Sequence, residues 1–209
     1  MNCDLNVLGI SLNDEKTKII LTFCCYKMKP IKEYDIDFFL NNFDFCLSET
    51  FDSLSKDNIC LTCKTCSFNK DIVISKDTTC IMNRIFKLCN IECEFCCFNG
   101  MHTNSSFEED LNRKIMDCVL KSNVVTRYSP TNMGEPFLDE YFKYNFLLNS
   151  KSNKNLKNIS ITTNAMNLDS DYILNLYKYN KNISFTVSLC SPIKEIFEKL
   201  KKNLILIKL

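Results

Sequence analysis

The sequence predicts an α/β protein: a partial (β/α) barrel that ends near its fifth strand, preceded by a small cysteine-rich α+β module. Three observations carry this prediction. From about residue 84 onward, strand-like and helix-like segments alternate, the order that winds helices around a parallel sheet. Before that point the rhythm is different, with two short strand-like runs, one helical stretch and a segment dense in cysteine. The composition, 45% hydrophobic and 24% charged over 209 residues, supplies a core and excludes a disordered chain. The boundary is therefore placed after residue 82, giving a module over 1–82 and a core domain over 83–209.

In the module, residues 5–10 and 17–23 read as strands around the polar turn Asn13-Asp14-Glu15-Lys16, a hairpin. Residues 35–43 carry Ile36, Phe39, Leu40 and Phe43 at helical spacing. In the core domain, residues 84–88 form a short strand that enters a cysteine loop. Ser106-Phe107-Glu108-Glu109 has the form of a capping box closed by Ser106 and Glu109. The helix it opens places Phe107, Leu111, Ile115, Cys118 and Val119 on one face, with acidic residues at its positive end. A strand over 124–128, a wide apolar helix over 137–148 and a strand over 158–163 follow. The helix over 171–179 presents Ile173, Leu176 and Tyr177, and a strand covers 183–189. Ser191-Pro192 then opens a helix with Ile193, Ile196, Phe197 and Leu200, proline standing where its missing N–H costs least. Residues 204–209 form a last strand. Right-handed crossovers would curl this series, with functional loops at the C-terminal ends of the strands.

Charge excludes several classes of partner. The net charge is +1, from 26 basic and 25 acidic residues, so no basic field points to nucleic acid. No apolar run approaches the ~20 residues of a membrane span. The N-terminal MNCDLNVLGIS has neither a basic nor an apolar signal region. A cytoplasmic location is expected. The chain has 14 cysteines but a single histidine, His102, so any metal site is mostly thiolate and a His-rich hydrolytic centre is excluded.

The strongest motif is CNIECEFC, in which Cys89, Cys93 and Cys96 are spaced C-x3-C-x2-C with Phe95 before the last cysteine. Three thiolates from one short loop can hold three irons of a 4Fe–4S cube and leave the fourth without a protein ligand. Met133-Gly134-Glu135-Pro136, Ile161-Thr162-Thr163-Asn164-Ala165 and Val187-Ser188-Leu189 follow in order, each at a strand end. Together these segments resemble the radical S-adenosylmethionine (SAM) superfamily, whose signature loop ends the first barrel strand. Met133 and Ala165 stand where the superfamily carries glycine.

The resemblance implies a 4Fe–4S cluster on Cys89, Cys93 and Cys96, with SAM chelating the open iron. It implies that Gly134, Glu135 and Pro136 bind the methionine amino group, and that Thr163 and Asn164 belong to the third-strand contact. Ser188 would touch the ribose or carboxylate, and Phe95 would lie near the adenine. It further implies an electron donor such as flavodoxin or ferredoxin and a substrate, a peptide or small molecule, from which hydrogen is abstracted. The superfamily's barrel has six β/α units, so the chain is expected to be a piece of a longer enzyme.

Cys60, Cys63 and Cys66 form a second group, spaced C-x2-C-x2-C, with Cys24, Cys25 or Cys80 available as a fourth ligand. The pattern is similar to SPASM and twitch auxiliary-cluster modules, and two readings stand open: a second 4Fe–4S cluster, or structural zinc that staples a small module. If both cysteine groups were structural, the chain would be a non-catalytic zinc-binding interaction protein. An electron-transfer protein would leave the Met-Gly-Glu-Pro and Thr-Thr-Asn segments without a task. Cys97, Cys118 and Cys190 read as packed thiols; His102, which follows the FNGM segment, is weighed as a cofactor or substrate contact, with a lone exposed histidine the favoured reading.

Overall fold

The structure is a computed structural model that describes residues 7–23, 29–56, 79–96, 98, 101–130, 133–180, 182–188 and 201–202. Its first strands are β1 (Val7–Leu12), β2 (Lys18–Phe23) and β3 (Lys29–Asp35), followed by helices α1 (Ile36–Asn41) and α2 (Phe43–Lys56). Then come β4 (Thr79–Asn83), the short β5 (Glu92–Cys93), α3 (Ser106–Lys121) and β6 (Val125–Ser129). A 3₁₀ turn (Pro136–Leu138), a π-helical turn (Phe142–Phe146), α4 (Leu147–Asn149) and a second 3₁₀ turn (Ser150–Ser152) lead to β7 (Asn158–Thr163). The series closes with α5 (Ser170–Tyr179), β8 (Ile183–Val187) and β9 (Lys201–Lys202).

The chain is α/β, and its main sheet has seven strands in the order β3-β2-β1-β4-β6-β7-β8. β1, β4, β6, β7 and β8 run parallel, and β2 and β3 add an antiparallel edge. The expected boundary after residue 82 falls inside β4. Across it, β1 pairs with β4 from Val7↔Cys80 to Ile10↔Asn83, so one sheet runs through both stretches. Leu8 and Ile10 of β1, Ile19 and Leu21 of β2 and Ile81 of β4 are buried in one core. Apolar faces on a hairpin and a distant strand bury each other, and periodicity within each segment carries no sign of that pairing.

Helices cover one face of this sheet. Leu111, Ile115 and Val119 of α3, Phe142 and Phe146 of the π turn and Leu176 of α5 enter the same core as Tyr128, Ile159 and Ile161. A register shift in the β4–β6 pair lets Val125 and Tyr128 both point inward. On the opposite face Ser160, Thr162, Ser184 and Thr186 are exposed. No helix among the described residues is long and apolar enough to cross a membrane.

Several local expectations shift. The strand expected over 84–88 lies earlier, at β4. The amide side chain of Asn83 accepts the Ile85 amide at 3.0 Å and donates to Asn112 Oδ1 at 2.8 Å and Tyr128 Oη at 3.1 Å, which turns the chain out of the ladder. Ile85 and Phe86 are still buried, so their apolar character reflects packing without strand pairing. The capping box is one residue earlier than expected: Ser105 Oγ accepts the Glu108 amide and Glu108 Oε2 accepts the Ser105 amide. The earlier frame wins because Glu108 is buried against Lys87 while Glu109 is exposed. Phe107 and Tyr177, expected on buried faces, are 44% and 62% exposed. The helix expected over 137–148 is broken by Pro136–Leu138 and the π turn. The elements expected over 191–200 and 204–209 lie outside the described residues.

Candidate functional site

The parallel strands deliver their following loops to one end of the sheet, as the chemistry of such sheets requires. Residues 84–96 follow β4, Met133–Pro136 follow β6, Asn164 follows β7 and Ser188 follows β8. Here they enclose an open cleft of about 180 Å³. Cys89, Cys93, Cys96, Phe95 and His102 line it from the cysteine loop. Gly134 and Glu135 line it from the second loop, and Thr162, Thr163, Asn164 and Ser188 from the last two. Pro136 does not line the cleft; it is buried beside Phe86 and Phe142. Cys60, Cys63 and Cys66 lie outside the described residues, as do Cys24, Cys25, Cys97 and Cys190.

Gly134 brings two loops together. A Cβ at this position would fall 2.4 Å from the Leu88 carbonyl oxygen and 2.7 Å from the Lys87 carbonyl carbon, so no larger residue fits unless the loop moves. The next amide, of Glu135, donates to the same Leu88 oxygen at 2.7 Å. The backbone immediately before Cys89 is thereby fastened to the loop after β6.

Glu135 fastens the other side. Its side chain is 1% exposed, and a buried carboxylate needs donors to offset lost hydration. Oε1 accepts the Thr163 hydroxyl at 2.7 Å and the Phe137 amide at 3.1 Å, while Oε2 accepts the Asn164 amide at 2.7 Å. Thr163 Oγ1 in turn accepts the Ala165 amide at 3.0 Å. Asn164 Nδ2 reaches across to Asn90 Oδ1 at 2.8 Å, and Asn90 Nδ2 continues to Asn167 Oδ1 at 3.2 Å. Three loops are thus joined by a polar chain around the cleft. Ala165 has φ 64°, the left-handed conformation that favours glycine.

The Cys89 thiol sits in a setting that resists charge without a cation. Burial raises the Cys89 pKa above the ordinary thiol value; the Ile91 and Asn90 amides oppose this, and the nearby Glu135 and Cys96 charges add to it. A bound metal group would reverse that balance, since its positive charge favours thiolate. Among the described residues, no three His, Cys, Asp or Glu side chains converge on a point suited to one ion. Three soft thiol donors around one cleft, from a loop held on both sides, do fit a group that presents several irons to separate thiolates. Cys118, half-buried on α3, donates to the Leu40 carbonyl at 3.5 Å, and its pKa is pushed up by burial to about 11. It packs between helices, away from the cleft.

No family model matches this chain, and no curated protein does. The site therefore stands on its own geometry. That geometry adds residues which the sequence reading left out. His102, read from the sequence as an exposed histidine in preference to a cofactor or substrate contact, is half-buried in the cleft wall, with Nε2 3.6 Å from Cys96 Sγ and Nδ1 3.1 Å from the Lys87 carbonyl. As the only histidine, six residues beyond a cysteine motif, it was visible, but a lone histidine has no periodic partner to mark it. Asn90, within the motif, carried no signal because its partner Asn164 is distant in sequence.

Proposed function

We propose that the chain is an iron–sulfur protein of the radical SAM type, with a 4Fe–4S cluster held by Cys89, Cys93 and Cys96. The reading is carried by one observation: the segments that resemble the superfamily's ordered motifs line a single cleft at one end of the parallel strands. The sequential order β4-β6-β7-β8, with the connecting helices on one face, supports reading these strands as part of a (β/α) barrel. A 4Fe–4S cluster held by Cys89, Cys93 and Cys96 would supply one-electron reduction of SAM, the radical chemistry needed for hydrogen abstraction from substrate.

The protein's own residues bind and position. Phe95, 62% exposed at the rim, offers a flat apolar surface for the adenine. The Gly134 backbone and Ser188 supply the wall against which the methionine and ribose lie. Glu135, Thr163 and Asn164 fix that wall: Glu135 holds the Thr163 hydroxyl and the Asn164 amide, and the Asn164 side chain holds Asn90 and the Met166 amide. A flavodoxin or ferredoxin would donate the electron in the cytoplasm, and the substrate would be a peptide or small molecule. The N-terminal Cys60, Cys63 and Cys66 would hold a second cluster or zinc.

The test is iron and sulfide content with EPR after anaerobic purification, with and without SAM, beside a Cys89→Ala, Cys93→Ala, Cys96→Ala variant. The expected result is a reduced-cluster signal that SAM perturbs and the variant lacks. Zinc alone in both proteins, with no response to SAM, would overturn the reading in favour of a structural zinc protein.

A further inference from the structure

A second cavity, of about 250 Å³, opens at the C-terminal ends of β1 and β4. Met133 lines both this pocket and the cysteine cleft, so the two spaces are neighbours across one side chain. Among the described residues three cations line the pocket: Lys16 from the turn after β1, and Arg84 and Lys87 from the segment after β4. Its acids are Asp14 and Glu108, which leaves one positive charge in excess.

Two of these cations occupy positions that the fold alone does not ask for. Arg84 is 5% exposed, and its guanidinium lies across Gly9, where a Cβ would come within 3.1 Å of Cζ and Nη1. Glycine in β1 makes room for it, and Nη1 donates to the Thr22 hydroxyl at 3.3 Å. Lys16 has φ 57°, a left-handed backbone that Asn and Gly adopt far more readily than lysine. Its ammonium reaches Glu108 Oε2 at 3.5 Å, while Lys87 meets Glu108 Oε1 at 2.7 Å. Glu108 is therefore an internal anion, a buried carboxylate drawn to two of the three cations.

We propose that this pocket binds the anionic group, a carboxylate or a phosphate, of a small molecule, with Arg84 as principal donor and Lys16 and Lys87 beside it. The planar guanidinium fork matches the paired oxygens of either group. Partial burial strengthens the attraction, because screening by water is weaker there. Glu108 competes with the ligand for the two lysines and sets its affinity. That the ligand is the substrate rests on the radical SAM reading: a molecule anchored here by its acidic end extends past Met133 into the cleft.

The experiment titrates the full-length, metal-free, reduced chain, without SAM, by calorimetry at low ionic strength. The probes are inorganic phosphate, succinate and the neutral succinamide. Phosphate or succinate should bind saturably at one site and succinamide should not, and the tighter of the two anions identifies the acidic group. Arg84→Gln should weaken binding at least ~10-fold, the scale of one charge-assisted hydrogen bond. Lys16→Asn, which suits the left-handed turn, should weaken it about 2–5-fold, as for a half-exposed cation. Glu108→Gln keeps the capping box but removes the internal anion, so it should tighten binding about 2–5-fold. A merely structural Glu108 would give the opposite sign. Absence of saturable anion binding, equal binding of succinamide, or an affinity that Glu108→Gln leaves unchanged or weakens overturns the proposal. So does an affinity unmoved by Lys16→Asn and Arg84→Gln; Lys16→Asn and Glu108→Gln keep the test decisive if Arg84→Gln does not fold. The titration involves neither iron nor SAM, so failure of this site and failure of the cluster reading are separable.

Discussion

The Glu135 carboxylate accepts the Thr163 hydroxyl at 2.7 Å while also holding the Asn164 amide at 2.7 Å, so one buried acid ties together the loops after β6 and β7. Glu135→Gln places an amide N–H₂ against one of these donors. Charge-assisted hydrogen bonds are worth roughly 1.5–3 kcal/mol, and an unpaired buried donor adds its own penalty. Urea unfolding of Glu135→Gln should show a loss of about 2–3 kcal/mol, with Thr163→Val losing about 1–2 kcal/mol. The double variant should lose less than the sum. Strict additivity would show that the two side chains do not act as a unit.

Gly134→Ala should loosen the cysteine loop. The added carbon would meet the Leu88 carbonyl oxygen at 2.4 Å, and that oxygen is fixed by the Glu135 amide. Overpacking of this kind costs about 1–3 kcal/mol. Iron retained per chain after anaerobic reconstitution should fall in the same variant. Full iron retention with unchanged stability would mean the loop moves freely.

Ala165→Gly should stabilise the protein. Ala165 has φ 64°, where a Cβ costs roughly 1–2 kcal/mol, and this exceeds the entropy that glycine adds to the unfolded chain. The expected gain is about 1 kcal/mol, read as a Tm increase of roughly 2–4 °C for a chain of this size. A decrease would show that the turn tolerates alanine without strain.

Glu108 should make the fold acid-sensitive. Burial alone would raise its pKa, but hydrogen bonds from Lys87 at 2.7 Å and from the Ser105 amide and hydroxyl outweigh it and bring the carboxyl down to about 2. Lys16 adds an ion pair at 3.5 Å. Because the folded value lies below the unfolded 4.5, this stability is fully present above pH 4.5 and is lost as pH falls toward 2. Its size at neutral pH is on the order of 2–3 kcal/mol. Stability of the unmodified chain against pH, compared with Glu108→Gln, checks the sign: the variant should lose most of the slope between pH 4.5 and 2.

The local elements were largely legible in the sequence. α3 and α5 follow from apolar residues at helical spacing, and β7 from the alternation of Ile159 and Ile161 with Ser160 and Thr162. The cysteine spacing at 89–96 marked a loop, and its three cysteines line one cleft. One-residue errors such as Ser106 for Ser105 arose because Glu108 and Glu109 are equivalent in sequence and differ only in what buries them.

The sequence by itself determined which residues could do chemistry and in what order they occur along the chain. Tertiary structure decided which of them meet. Parallel pairing of β1 with β4, Gly134 against the Leu88 carbonyl, Asn90 against Asn164 and His102 against Cys96 all depend on backbone positions that no local pattern encodes. Periodicity reports the face on which a side chain lies, because it reflects burial within one segment. Register between segments is set by the packing of the whole core, so it appears only when the sheet is assembled.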